Sequence, residues 1–139
     1  MKGREFITVA QRLSPGTCEA DWRAIVGRAY YGLILESRDS LRRWGFLPLP
    51  RAPIHSFVRL RFDFAQDADL KKIGRYLNSL SRLRNDADYH IDKPGPFTKP
   101  SGAADAIRDA GMGVNILDQI ESNNGRRLAA VAAIKAAFP

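Results

Sequence analysis

The feature that most limits what this chain can fold into is a stripe of apolar residues beginning near its midpoint. Leu70, Ile73, Leu77, Leu80, Ala87 and Ile91 recur at steps of three and four, the period of a helix face turned toward a core. One position of that register, between Leu80 and Ala87, holds Arg84. A guanidinium does not shed its charge, and a buried charge is costly unless it is paired and hydrogen-bonded. Arg84 is therefore expected either to meet a carboxylate inside the fold or to face a cleft that takes an anion.

The residues after it are polar in a pattern. Asp86 and His90 stand four apart, as do Arg84 and Asp88, so each pair makes neighbours on a helix surface. Asp86 could orient the imidazole of His90 and favour its charged form. Arg84 and His90 are six apart, which places them about 120° apart round the axis and about 9 Å along it. They converge only through the length of the arginine side chain and a helix end that loosens before Pro94 and Gly95.

The rest of the chain reads as further helices. Residues 3–13 carry Phe6, Val9 and Leu13 on one side, and Ser14-Pro15-Gly16 ends that run. Thr17 is the expected N-cap of a second helix over 18–44, with Glu19 and Asp21 in its first turn. Its middle, AIVGRAYYGLIL from Ala24 to Leu35, is apolar nearly all round, as suits the central helix of a bundle. Arg28 is the only charge in that segment and is expected to reach Asp86 or Asp88, while Gly27 and Gly32 let another helix come close. Tyr30 and Tyr31 read as core or interface aromatics.

Gly45 to Pro53 holds three prolines and is a connector. Val58 to Phe64 then alternates apolar and charged residues at a strand period. No second strand exists to pair with it, so the expectation is a helix over 54–65. Arg51, Arg59 and Arg61 make this region basic, either as a solvated face or as a strip of phosphate contacts that would bind RNA. Asp67 and Asp69 open the motif helix with capping residues. On it Tyr76, Leu83 and His90 recur every seven residues, a flank suited to packing against another helix or a copy of itself. A Pro/Gly loop over 92–102 follows. A helix marked by Ala104, Ile107, Gly111, Val114 and Leu117 is ended by Asn123-Asn124-Gly125, and a last short helix covers 126–138. Together these elements predict one all-α domain over residues 1–139, a bundle of five or six helices.

Composition narrows the function. A net charge of +7 favours an anionic partner such as nucleic acid. With Cys18 as the lone cysteine, no internal disulfide and no cysteine zinc site can form. His55 and His90 are the only histidines, which argues against a histidine metal centre. No cofactor is expected. Glu5, Gln11 and Arg12 break up any secretory pattern, and no apolar run is long enough to span a membrane, so a cytoplasmic protein is expected.

An arginine and a histidine separated by five residues late in a long helix resemble the signature of HEPN domains. The segments RAYYGLILESRDSL (Arg28 to Leu41) and RAPIHSFV (Arg51 to Val58) are similar to that family as well, and the resemblance covers residues 15–122. It implies an all-α fold and a homodimer. It also implies metal-independent endoribonuclease activity at the meeting of two motif helices, often in toxins or antiviral effectors that an antitoxin or operon partner controls. Arg84 would grip phosphate oxygens and His90 would move protons. Asn85 and Asp86 would position the substrate or the histidine, with Asp88, Tyr89 and Arg28 in support. Asp92 stands where the members silenced by adenylylation carry a tyrosine. Other members keep a run like Ala87-Asp88-Tyr89 without the histidine, so the resemblance equally fits a non-catalytic module that binds a nucleotide, RNA or a partner protein.

Overall fold

The computed structural model describes all 139 residues as six α-helices and one 3-10 turn, with no strand. The helices are α1 (Arg4–Leu13), α2 (Glu19–Arg43), α3 (Ile54–Phe64), α4 (Ala68–Tyr89), α5 (Ser101–Glu121) and α6 (Asn124–Ala137). The fold is an all-α bundle, as the apolar periodicities require. No helix is long and apolar enough to cross a membrane.

α2 is the axis of the bundle. It packs against α1, α3, α4 and α5, which explains a segment apolar on nearly every side: Ile25, Val26, Ala29, Tyr30, Leu33 and Ile34 are all buried. The α4 stripe supplies the facing layer, with Leu70, Ile73, Leu77, Leu80 and Ala87 buried. Two close approaches set the spacing. A Cβ at Gly32 would collide with the Ile7 side chain of α1, and one at Gly74 would lie 2.9 Å from the Cα and N of Asp63, so α3 and α4 touch through backbone. Gly27, by contrast, has only the Asp88 carboxylate near it. Charge ties three helices together where Glu36, buried in α2, accepts from the backbone N–H and the guanidinium of Arg4, which also reaches Asp118 of α5.

Two sequence expectations change. Thr17 does not cap α2. Cys18 holds the N-cap position without a side-chain bond, while the Thr17 N–H and hydroxyl both donate to Asp21. The loop over 92–102 contains the 3-10 turn Gly95–Thr98, whose Phe97 is buried. Of the two partners expected for the flank of Tyr76 and Leu83, the structure shows another helix of the same chain: both are partly buried on the core, and the Tyr76 hydroxyl reaches Sδ of Met112 in α5.

Candidate functional site

The C-terminal end of α4 is held by a residue that sequence reasoning passed over. A helix end leaves its last carbonyls without intrahelical donors. Arg23 of α2, nearly buried, supplies them: Nη1 donates to the carbonyls of Asp86 (2.8 Å) and Ala87 (3.0 Å), and Nη2 to that of Lys93 (2.8 Å). Glu19 fixes the guanidinium from the other side at 2.7 Å, and the Phe97 ring lies 4.5 Å beneath it. This cation both caps the helix and neutralises its negative end. It is the anchor expected of Arg28, which is instead exposed, faces the Phe6 ring at 5.7 Å and pairs with neither Asp86 nor Asp88. Arg23, Gly27 and Tyr30 share the stripe of α2 turned to α4, whereas Arg28 lies five residues on from Arg23 and about 140° round the helix.

Arg84 meets a carboxylate, as the first of the two expectations has it. Its Nε lies 2.9 Å from Oδ2 of Asp88 but off the N–H direction, so this ion pair leaves the buried Nε–H without an acceptor. Nη2 donates to the Tyr31 hydroxyl at 2.8 Å, and the Tyr31 and Tyr89 rings both lie 5.3 Å from the guanidinium. Asn85, exposed, accepts only a long contact from Nη1 at 3.5 Å.

Behind Tyr31 the polar cluster continues. The Tyr30 hydroxyl bonds Nδ1 of His55 at 2.7 Å. Arg59, one helical turn after His55 on α3, reaches Ser81 at 3.4 Å and leaves a buried Nε–H without a partner. Burial holds the His55 imidazole below its ordinary range, and the charges of Arg84 and Arg59 push it the same way. The cluster thus gathers two guanidiniums and one neutral imidazole around a single carboxylate.

His90 lies on the opposite side of α4. Its side chain is half exposed, and Nε2 is 4.0 Å from Asp86 Oδ1, so the two are the neighbours the spacing predicts but share no hydrogen bond. Asp86 and His90 line a cavity of about 160 Å³ with Lys93, Gly95 and Pro96. Arg84 does not line it. Lys93 is the cation nearest this histidine in the cavity, and only the turn after α4, which sequence reading left as loop, brings it there. Next to His90, Tyr89 and Ile91 are large side chains 67% and 73% exposed.

The basic residues of the α3 region do not form one strip. Arg51 is exposed in the connector. Arg59 turns toward α4, and Arg61, about 200° round the helix from it, is sandwiched between the Phe57 and Phe138 rings at 3.8 and 4.3 Å. Arg61 therefore serves packing, and of the three only Arg59 joins the cluster. Comparison of the chain with family models, with curated proteins and with solved structures gives no match.

Proposed function

We propose that this chain is a metal-independent endoribonuclease of the HEPN type. RNA carries its own nucleophile, the 2′-hydroxyl, so cleavage needs a proton-moving group, a cation on the phosphate and a held geometry. The observation that carries the reading is the cavity at the end of α4, which His90 and Lys93 line together with Asp86, whose carboxylate lies 4.0 Å from the imidazole. The imidazole would take the 2′-hydroxyl proton as that oxygen attacks phosphorus, and the P–O5′ bond breaks with a proton from water passing to the 5′-oxygen, giving a 2′,3′-cyclic phosphate and a 5′-hydroxyl. Arg84 of the same chain faces away, so a shared site brings its guanidinium from a second copy, with exposed Tyr89 and Ile91 as the apolar contact. A toxin or antiviral effector controlled by an antitoxin or operon partner belongs to this same reading.

The test is cleavage of single-stranded RNA in excess EDTA, with DNA of the same sequence left intact. His90→Ala is expected to abolish cleavage while keeping RNA binding, and Arg84→Ala to weaken both and flatten the salt dependence. A second reading, a non-catalytic module for a nucleotide, RNA or a partner protein, is favoured by the orientation of Arg84 toward Tyr31 and away from His90. It takes over if His90→Ala cleaves as fast as the parent.

A further inference from the structure

The cluster between α2, α3 and α4 contains more positive charge than its own residues balance. Arg84 has Asp88 beside it, but Arg59 has no carboxylate, and its one hydrogen bond is to the neutral Ser81 hydroxyl. Each guanidinium also holds a buried N–H with no acceptor. Such donors cost free energy until something accepts from them. Filling this space does not require two arginines, since an apolar side chain would occupy it without the charge, and only Arg84 has a carboxylate beside it. The residues are set in register: His55 and Arg59 four apart on α3, Ser81, Arg84 and Asp88 at steps of three and four on α4. None of them lines an enclosed cavity, so a bound group would be gripped from one side.

We propose that Arg59 and Arg84, with His55 and Tyr31 between them, form a binding site for a phosphoryl group. A planar guanidinium presents paired donors that match two phosphate oxygens, and two of them on adjacent helices suit a tetrahedral dianion. The phosphoryl group comes either from a nucleotide's terminal phosphate or from the backbone of single-stranded RNA. The site shares Arg84 with the nuclease reading but needs neither His90 nor a second copy of the chain, so the two can fail separately.

The probe is inorganic phosphate, added to the full chain at constant ionic strength and followed by the NMR signals of the two histidine rings. The His55 signals are expected to shift saturably and to titrate at a higher pH with phosphate bound, because an anion offsets Arg59 and Arg84. Arg59→Gln is expected to weaken binding by about tenfold or more, the loss of one charge-assisted hydrogen-bonding partner, and Arg59→Lys by less. His90→Ala should bind phosphate like the parent. Displacement by a nucleoside monophosphate, or by an RNA lacking terminal phosphates, identifies the source. A shift that chloride reproduces, or that never saturates, overturns the proposal, as does an Arg59→Gln chain that binds phosphate as tightly. If that variant fails to fold, the parent's response and Arg59→Lys still decide. RNA cleavage lost with phosphate binding kept counts against the nuclease reading alone, and phosphate binding absent with cleavage present counts against this site alone.

Discussion

Replacing Arg23 with methionine keeps the length of the stem on Phe97 and removes the guanidinium. The variant strands the carbonyls of Ala87 and Lys93, leaves that of Asp86 with the His90 N–H alone, and frees Glu19. A hydrogen bond to a charged group is worth about 1.5–3 kcal/mol, and breaking a buried charged network costs about 3–5 kcal/mol. The carbonyls at a helix end can regain water if the last turn frays, so the expected loss is nearer about 3 kcal/mol. For a chain of this size that is a melting temperature lower by about 10 °C. Thermal denaturation followed by circular dichroism reads the shift, and amide hydrogen exchange should speed up over residues 86–93 before any other part of α4. Arg28→Met is the control. That side chain is exposed and has no acidic partner, so its loss should stay within about 0.5 kcal/mol. An Arg23→Met chain that melts with the parent and exchanges at the parent's rate would refute the capping role.

Two further outcomes follow from packing and charge. Gly74→Ala should destabilise by about 1–3 kcal/mol, because the new Cβ meets the Asp63 backbone, which cannot give way as a flexible side chain would; a urea midpoint unchanged from the parent would show that α3 moves freely. His55, with its folded pKa depressed below 6.5, favours its protonated form in the unfolded chain, so its contribution to stability is complete above that value and is lost as pH falls through it. Glu36 and Asp67, whose pKa values are held below 4.5 and 3.8 by Arg4 and Arg126 against the effect of burial, add their loss only at lower pH. Urea titrations between pH 7 and pH 5 therefore isolate the histidine, and His55→Asn should flatten that slope.

The bundle was legible because spacing of three and four marks α4 and α5, because α2 is apolar nearly all round, and because prolines and glycines mark the breaks after α1, α2 and α4. The site was only half legible. Arg84 stood out as a charge in an apolar register, and its partner Asp88 followed from the step of four. Arg23 did not stand out, since it precedes the apolar segment and looks like an ordinary charge near a helix start. Only the arrival of α4 beside it makes it a cap. The cluster partner of Arg59 was obscured by the alternation of residues 58–64, which draws the eye to Arg61 two positions on. Once the segment is a helix, the neighbour of Arg59 is His55, four positions back. Lys93 depends on a 3-10 turn whose single buried anchor, Phe97, has no periodicity to announce it.

The two faces of α4 decide how any cleavage must work. Arg84 and Asp86 are two residues apart and so about 200° apart round the helix. One face carries Arg84 with Ser81 and Asp88 toward α2 and α3, and the other carries Asp86 and His90 toward Lys93. On the nuclease reading proposed above, one chain thus separates His90, its proton-moving group, from Arg84. Either Lys93 serves as the phosphate cation within the chain, or the arginine of a second copy does. The alternatives differ in kinetic order. If Lys93 serves, Lys93→Ala should abolish cleavage, and the rate per chain should not change on dilution. If a second copy serves, the rate per chain should fall as the dimer dissociates, and mixing inactive Arg84→Ala with inactive His90→Ala should restore part of the activity, because one composite site in the mixed dimer is intact. An Arg84→Ala chain that still cleaves, while Lys93→Ala alone silences the parent, would place the whole reaction in a single chain and leave Arg84 to the cluster on the other face.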